Sequence, residues 1–284
     1  MTAQPEQIRE EIIQQKSAEV KEADLRCLMR EMRTVLVAYS GGVDSSYLTL
    51  IATQELARNA HCMIGISPSV SQIQREEADK IADQFNFNYE KIPTEELEDS
   101  NYLANPTNRC YFCKSELYGK LNQIAEQRNI EFILDGTNAD DVGDHRPGRQ
   151  AAQEKNVRSP LVEVGLTKDE IRFLSKKHDL PTWDKPASPC LSSRIAYGIP
   201  VSIERLSKVE KGEEILRSLG FKEFRVRFHD ELVRLEIAPD EMEKALRKEM
   251  TDRLAGEFKR LGFKYVTLDL HGYRTGAMNE VLTK

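Results

Sequence analysis

Short apolar runs alternate with longer amphipathic stretches through the first two thirds of the chain. An apolar run of about 4–8 residues between turn residues predicts a buried strand, and apolar residues at helical spacing predict an amphipathic helix. On this basis we predict strands that begin near Thr34, Cys62, Asn88 and Phe132, with helices between them. Strands that alternate with helices indicate an α/β fold with a doubly wound parallel sheet.

The predicted helices carry recognisable boundary signals. Residues 5–32 have apolar positions at helical spacing among many charges, which predicts one or two amphipathic helices. Ser71 with Gln74, and Thr167 with Glu170, form the capping-box pattern that begins a helix. Residues 143–160 are polar and lack periodicity, and we expect a mobile loop there.

Residues 180–200 contain four prolines and the single tryptophan of the chain, so we expect no regular structure in this stretch. We place a domain junction near its end, which gives domains at 1–198 and 199–284. After Ser202 the pattern predicts a helix, strands at 224–228 and 232–237, a helix at 239–261 and a strand at 265–268. This order indicates a smaller α+β C-terminal domain.

Composition is that of a soluble globular protein, with 39% hydrophobic and 31% charged residues among 284. No apolar run approaches the roughly 20 residues that span a bilayer. Because the N-terminal stretch is polar, we expect no export signal, no membrane partner and a cytoplasmic location. The formal net charge of −6 gives no general attraction to nucleic acid, and we expect no such partner.

The junction between the first strand and its helix reads SGGVDSS. Paired glycines let backbone N–H groups surround an anion, and the positive end of a helix dipole favours phosphate. The sequence matches neither of the phosphate-binding motifs G-x-x-x-x-G-K-[ST] and G-x-G-x-x-G. The alternative is an ordinary strand–turn–helix joint that binds no ligand, because such a joint uses similar residues. We predict a nucleotide cradle, with Asp44 placed for a metal that bridges phosphates, formed by Ser40, Gly41, Gly42, Val43, Asp44, Ser45 and Ser46.

Gly136 and Thr137 follow the fourth predicted strand, with Asn138 next in the same loop, at the carboxyl edge of the same sheet. Ligands of doubly wound sheets bind at this edge. We therefore predict that both residues contact the same nucleotide as the cradle.

Five cysteines without an export signal favour metal binding or thiol chemistry over a disulfide framework. Cys110 and Cys113 form C-x-x-C, which can hold zinc, an iron–sulfur cluster or a redox disulfide. Cys190 lies in the proline-rich stretch near an arginine, which favours the reactive thiolate, so we expect a reactive or cluster-ligating thiol. Cys27 and Cys62 have no ligand-spaced neighbours and are expected to be small core residues.

Arginines recur in the C-terminal domain. Arg225 and Arg227 alternate along one predicted strand and share a face, as do Arg234 and Glu236 on the next. The alternative is that these strand arginines are exposed to solvent and bind no ligand. Because an arginine fork suits phosphate or carboxylate oxygens, we predict substrate binding by Arg194, Arg225, Arg227 and Arg274.

SGGVDS after an apolar strand resembles the signature of the PP-loop ATP pyrophosphatases, which split ATP between the α and β phosphates. Together with N-R-C-Y-x-C-K, DGTNADD, RPGRQAA, SPCLSSRIAYG and DLHGYRTGAMN, it resembles the LarE family over Val35 to Asn279. Members of that family are ATP-dependent sulfur transferases for the nickel-pincer nucleotide cofactor. The resemblance implies a PP-loop, HUP-like domain joined to a smaller domain, assembled as a homo-oligomer such as a hexamer.

The resemblance also implies a mechanism. ATP, with Mg²⁺ on Asp44, adenylylates a carboxylate of pyridinium-3,5-biscarboxylic acid mononucleotide, and a cysteine-derived sulfur displaces AMP. In one version a cysteine matching Cys190 is consumed and leaves dehydroalanine. In the other, a [4Fe–4S] cluster carries an extra sulfide, supplied by sulfide or a cysteine desulfurase system. With Cys110, Cys113 and Cys190 this chain resembles the cluster version, and the resemblance suggests Glu214 and Glu236 as metal ligands.

Two other functions stay open on the sequence alone. Another PP-loop enzyme, such as a tRNA thiolase or an amide-forming synthetase, would share the adenylylation step. A tRNA enzyme would normally show a basic surface, which the net charge of −6 disfavours. A non-catalytic iron–sulfur or zinc protein that keeps the nucleotide fold would release no pyrophosphate.

Overall fold

The computed structural model of the protein describes residues 4–143, 147–186, 188–274 and 276–278. This part of the chain forms two compact units. The first unit comprises Met1–Ser67, Gln72–Glu96 and Cys110–Ser188, and the second comprises Pro68–Ser71, Leu97–Arg109 and Pro189–Lys284. The domain boundary that we predict after residue 198 stays a prediction.

Helices and strands follow one another in an order that repeats the predicted alternation over the first unit. In chain order they are α1 (Gln4–Met32), β1 (Val35–Ala38), α2 (Val43–Leu56), β2 (Ala60–Ile66), α3 (Gln72–Gln84), β3 (Asn88–Pro93), α4 (Ser100–Leu103), α5 (Arg109–Arg128), β4 (Phe132–Leu134), α6 (Pro147–Glu154), α7 (Pro160–Glu163), α8 (Lys168–Lys177), α9 (Ile203–Ser218), β5 (Phe224–His229), β6 (Leu232–Ile237), α10 (Met242–Leu246), α11 (Lys248–Arg260) and β7 (Tyr265–Leu268).

The first unit is built on a parallel sheet with the described strand order β3-β2-β1-β4. Side chains of a strand point alternately to its two faces. Val35 and Val37 of β1 lie in one apolar core with residues of α1, α2 and α8, whereas Leu36 and Ala38 lie in another with residues of α5 and α6. A core on each face is the doubly wound arrangement, and the predicted α/β fold class is confirmed.

Strand order places two loops side by side at the carboxyl edge of this sheet. β1 pairs directly with β4, with Val37 opposite Leu134. The loop after β1 begins at Tyr39 and the loop after β4 begins at Asp135. The cradle and the Gly136 loop therefore leave neighbouring strands at the same edge.

The second unit contains a mixed sheet in the order β5-β6-β7. β5 and β6 are antiparallel, and β6 and β7 are parallel. Val226, Val233 and Phe258 are fully buried. Gly212 of α9 packs so closely that a Cβ there would lie 2.8 Å from the Phe258 ring. The predicted α+β character of the C-terminal part is confirmed.

Two details of the predicted elements were wrong. Residues 147–154, expected within a mobile loop, form α6, whose buried face consists of only Ala151 and Ala152 and therefore gave little apolar signal. The single helix expected at 239–261 is divided into α10 and α11 at Arg247, where φ −62° and ψ 134° are extended.

The capping box of Thr167 and Glu170 at the start of α8 is confirmed. None of the helices in the described part of the chain is long and apolar enough to cross a membrane.

Candidate functional site

The loop between β1 and α2 is held together by its own serines. The hydroxyls of Ser40 and Ser45 lie 2.9 Å apart, and the backbone N–H of Ser40 donates to Ser45 Oγ at 3.1 Å. Gly41 has φ +70°, and a Cβ there would lie 2.9 Å from the Cβ of Ala78. Both conditions require glycine, so the loop conformation is built in before any ligand binds.

The start of α2 suits an anion. Gly42 is the N-cap, and no side chain caps the first turn. The first N–H groups of a helix have no partner within the helix, and its dipole favours negative charge at this end. Val43, Ser45 and Ser46 follow as buried residues of the first turn. The predicted cradle residues thus lie together in one glycine loop and the first turn of α2, and their nucleotide-binding role stays a prediction.

Asp44 is the partly exposed acid of this turn, and its carboxylate has partners on two other elements. Lys168 Nζ lies 2.6 Å from Oδ2, and Asn138 Nδ2 donates to Oδ1 at 3.3 Å. The side chains of Asp44 and Lys168 keep 21% and 35% of their exposure, so the pair reaches solvent. A carboxylate suits Mg²⁺ and an ammonium suits phosphate, so the pair offers both charges that a nucleotide–metal complex needs.

Gly136 brings the β4 loop against the cradle. A Cβ on Gly136 would lie 2.8 Å from the backbone nitrogen of Ser45, so the two backbones are in direct contact. Thr137 turns toward Asp135 instead, because its N–H and hydroxyl both donate to that carboxylate, at 3.1 and 2.9 Å. Asp135 is buried and also accepts from the hydroxyls of Tyr118 and Ser159. The nucleotide-binding role of Gly136 and Thr137 stays a prediction.

Three polar residues surround the cradle, and sequence reasoning missed two of them, both lysines. The three are Asn138 and Lys168, which hold Asp44, and Lys185, whose Nζ donates to the Gly41 carbonyl at 3.3 Å and pairs with Glu77 at 2.5 Å. Asn138 was part of the loop predicted to share the nucleotide, but its contact with Asp44 was not predicted. The two lysines carry no local signal among 41 lysines and arginines.

Cys110 and Cys113 lie in the first turns of α5, Cys110 exposed and Cys113 partly buried. Residues three apart on a helix are neighbours on its surface, so the two thiols share a side. Cys190 is partly buried and precedes the 3₁₀ turn Leu191–Arg194 in the second unit. Among the residues that the structure describes, no three His, Cys, Asp or Glu side chains are grouped as a metal site. The three-cysteine cluster stays a prediction.

The other two cysteines differ from each other. Cys62 of β2 is fully buried, as predicted, and burial strongly raises the pKa of its thiol. Cys27 was expected in the core but is exposed on α1, with Arg30 Nη2 3.0 Å from its sulfur. The prediction was wrong because Leu25 and Met29 form the buried side of the helix there, and Cys27 lies between them in sequence.

Arg194 organises the turn that follows Cys190. Its side chain is only 4% exposed, and Nε donates to Glu213 at 2.9 Å. Nη1 donates to the carbonyl of Cys190 at 3.1 Å and also contacts the carbonyl of Pro189. The guanidinium thus holds the backbone around the cysteine, and its predicted contact with a substrate phosphate stays a prediction.

The strand arginines form an ionic cluster around a buried glutamate. β5 and β6 pair Arg225 with Glu236 and Arg227 with Arg234, which puts all four side chains on one face. Glu236 is fully buried, with Arg227 Nη2 2.8 Å from one carboxylate oxygen and Arg234 Nη2 3.0 Å from the other. These two ion pairs leave Glu236 little room as a metal ligand, and that predicted role stays a prediction.

Further contacts extend this cluster. Burial, followed by repulsion from Arg194, lowers the pKa of Arg225, whose guanidinium lies 4.7 Å over the Tyr273 ring. Arg274 Nη1 donates to Asp269 at 3.3 Å. The arginines that these contacts join are Arg194, Arg225, Arg227, Arg234 and Arg274, and the carboxylates are Glu213, Glu236 and Asp269. Guanidinium groups suit phosphate or carboxylate oxygens, and substrate binding by these arginines stays a prediction.

The acid of α9 that enters the cluster is Glu213. Glu214, the suggested metal ligand, is exposed, whereas Glu213 is buried on the face shared with Val209, Gly212 and Leu216. This face repeats every three or four residues, so helical periodicity was the signal that could have identified Glu213. The metal-binding role suggested for Glu214 stays a prediction.

No protein-family model matches the chain. The chain is 43% identical over 266 residues to an uncharacterized protein of Synechocystis sp., a match that covers 94% of this chain and 99% of that protein. It is 30% identical over 243 residues to an uncharacterized protein of Methanocaldococcus jannaschii, which covers 86% of this chain and 92% of that protein. It is 34% identical over 265 residues to pyridinium-3,5-bisthiocarboxylic acid mononucleotide synthase of Lactiplantibacillus plantarum, and this match covers 93% of this chain and 95% of that synthase. The chain therefore belongs to the LarE family, the family of that synthase.

Proposed function

We propose that this protein is an ATP-dependent sulfurtransferase that makes pyridinium-3,5-bisthiocarboxylic acid mononucleotide for the nickel-pincer nucleotide cofactor. Similarity to the synthase of that name over 93% of the chain carries the proposal. The glycine cradle of the first unit supports the use of ATP. The arginine cluster of the second unit supports a substrate that bears phosphate and carboxylate groups.

The phosphates of ATP are proposed to lie on the N–H groups at the start of α2, with the ammonium of Lys168 beside them. Asp44 fits Mg²⁺, because one partly exposed carboxylate together with substrate phosphates is how proteins commonly hold this ion. When bound, Mg²⁺ neutralises charge on the leaving pyrophosphate. Lys168 and Asn138 orient the Asp44 carboxylate through their contacts at 2.6 and 3.3 Å.

Activation is needed because a free carboxylate has no good leaving group. A carboxylate oxygen of the substrate attacks the α phosphorus of ATP, the bond from that phosphorus to the bridging oxygen breaks, and pyrophosphate leaves with the electron pair. The Cys190 thiolate then attacks the carbonyl carbon of the acyl adenylate. AMP leaves with the electrons of the broken C–O bond, and a thioester to Cys190 results.

Sulfur passes to the substrate by elimination in the sacrificial form of the reaction. A base removes the Cα proton of Cys190, the Cα–Cβ double bond forms, and the Cβ–S bond breaks. The substrate leaves as a thiocarboxylate and dehydroalanine remains at position 190. The step is redox neutral and needs no co-reactant.

A [4Fe–4S] cluster on Cys110, Cys113 and Cys190 is the other proposed source of sulfur. The spacing of Cys110 and Cys113 on α5 suits two thiolate ligands of one cluster. The described side chains include no group of three His, Cys, Asp or Glu residues placed to hold a metal, so we assign no step to the cluster.

Anaerobic reconstitution with iron and sulfide, followed by iron counting and absorption spectra, distinguishes the two forms. The proteins to compare are the wild type, Cys110→Ala, Cys113→Ala, Cys190→Ala and, as a control for an exposed thiol, Cys27→Ala. About four irons per chain, lost in the first three variants and kept in the control, would establish the cluster. No bound iron, with dehydroalanine at position 190 after turnover, would establish the sacrificial form.

Pyrophosphate release tests the shared first step. Wild type and Cys190→Ala are both expected to release pyrophosphate when ATP and the dicarboxylate mononucleotide are present together, because the cysteine acts only afterwards. No pyrophosphate from the wild type under these conditions would refute the proposed function.

A further inference from the structure

Residues Trp183–Lys185, which we call the strap, have no regular structure and lead from α8 toward Cys190. Carbonyl groups in such a segment have no ladder of hydrogen bonds and need other donors. Arg172 of α8 supplies them: Nη1 donates to the carbonyl of Trp183 at 2.6 Å, and Nη2 donates to the carbonyl of Lys185 at 2.9 Å. One planar guanidinium therefore fixes two carbonyls of the strap.

The side chains of the strap reach the elements that surround the cradle. Lys185 Nζ donates to the Gly41 carbonyl at 3.3 Å and pairs with Glu77 of α3 at 2.5 Å. Lys176 Nζ lies 4.4 Å over the Trp183 ring. The strap is thus attached to α3, to α8 and to the nucleotide loop itself.

The chain stays anchored just beyond the strap. Gln74 Nε2 donates to the carbonyl of Ser188 at 2.7 Å and lies 3.0 Å from its hydroxyl. Ser188 is the last residue of this stretch in the first unit, and Cys190 follows two residues later. This stretch of the first unit is therefore held by α3 as well as by α8.

We propose that Arg172 is a positioning residue for sulfur delivery, which acts by holding the strap and thereby the chain that carries Cys190. The proposal rests on the proposed function, in which Cys190 acts on an acyl adenylate formed at the cradle. The described contacts of Arg172 are with the strap, whereas Lys185 contacts both the strap and the nucleotide loop. A substitution at Arg172 therefore tests the position of the strap with less direct effect on nucleotide binding than a substitution at Lys185.

Arg172→Ala removes both donors and is expected to split the two stages of the reaction. Pyrophosphate release should stay within about twofold of wild type, whereas thiocarboxylate formation should slow about tenfold or more, as expected for the loss of charge-assisted hydrogen bonds. Arg172→Lys keeps the charge but lacks the fork of donors, so its rate of thiocarboxylate formation should lie between those of wild type and Arg172→Ala. Lys177→Ala is the matched control on the same helix, because its ammonium pairs only with exposed Glu19 among the described contacts.

Hydrogen exchange of the peptide that contains the strap gives a readout independent of turnover. The N–H of Lys185 donates to the carbonyl of Thr182 at 3.0 Å, and its exchange should quicken about tenfold in Arg172→Ala and not in Lys177→Ala. Urea denaturation shows whether each variant remains folded.

Three outcomes would overturn the inference. The first is sulfur transfer at the wild-type rate in Arg172→Ala. The second is an equal loss of pyrophosphate release and sulfur transfer in that variant, because Arg172 would then support the cradle. The third is unchanged strap exchange in Arg172→Ala. A wild-type protein that releases no pyrophosphate would instead overturn the proposed function, and the inference with it.

Discussion

Replacing Gly136 by alanine tests the contact between the β4 loop and the cradle. The added Cβ would lie 2.8 Å from the nitrogen and 3.0 Å from the Cα of Ser45, and 3.2 Å from the carbonyl carbon of Asp44. All three are backbone atoms in the first turn of α2, so no side chain can turn away to make room. Reaching an ordinary separation of about 3.5 Å requires the loop and the helix to move apart by about 0.7 Å.

This displacement sets the size of the expected effect. Overpacking of this kind costs about 1–3 kcal/mol of unfolding free energy. The same shift moves the N–H donors of the cradle, and a charge-assisted hydrogen bond contributes about 1.5–3 kcal/mol, so affinity for ATP should fall about tenfold or more. Urea denaturation measures the first quantity. Titration with α,β-methylene-ATP, which resists cleavage between these phosphates, measures the second.

Gly119→Ala is the matched control. Gly119 lies inside α5 of the same unit, and a Cβ there would have nothing within 4 Å. Alanine is favoured over glycine in a helix interior by about 1 kcal/mol, so this variant should be as stable as wild type or more stable and should bind the analogue normally. Wild-type stability together with wild-type affinity in Gly136→Ala would refute the close contact.

Three further predictions concern charged groups. Burial alone would raise the pKa of Glu22, but hydrogen bonds from His178 and Arg26 outweigh it and lower that pKa from 4.5 to about 2. Because the folded pKa lies below the ordinary value, the stabilisation is complete above pH 4.5 and disappears toward pH 2. The unfolding free energies of wild type and Glu22→Gln, measured by urea denaturation, should therefore converge as the pH falls over this range. A difference independent of pH would contradict this. Glu236→Gln leaves the buried Arg227 without its charged partner among the described contacts and Arg234 with Asp269 alone. It should cost about 3 kcal/mol of unfolding free energy in thermal denaturation, and an unchanged melting temperature would show that the ion pairs contribute nothing. Arg225→Ala should weaken binding of the substrate mononucleotide about tenfold while leaving α,β-methylene-ATP affinity unchanged, and the reverse pattern would assign the arginine cluster to ATP.

Local signals made much of the first unit predictable from sequence. The apolar run before SGGVDSS identified β1, and the Thr167–Glu170 pair identified the start of α8. The cradle followed from them, because its residues are contiguous and its conformation depends on glycine at 41, where φ is +70°. Such features need no knowledge of distant parts of the chain.

The contacts of Asp44 were out of reach for the opposite reason. Asn138 and Lys168 stand 94 and 124 residues away in sequence, and only the assembled sheet brings them to the carboxylate. Glu213 shows a smaller error of the same kind, because one step along a helix turns a side chain by about 100° and separates buried Glu213 from exposed Glu214. α6 was missed because two alanines are a weak apolar signal in a polar stretch.

The most direct test of ATP-dependent sulfur transfer is a single-turnover reaction without oxygen, with the protein in excess over pyridinium-3,5-biscarboxylic acid mononucleotide and with ATP and Mg²⁺ present. Phosphorus NMR follows pyrophosphate and AMP, and mass spectrometry follows the exchange of carboxylate oxygen for sulfur in the mononucleotide. We expect pyrophosphate, AMP and thiocarboxylate in equal amounts, with no thiocarboxylate from Cys190→Ala. Thiocarboxylate formed without ATP, or pyrophosphate released with no sulfur in the product, would contradict the proposed function.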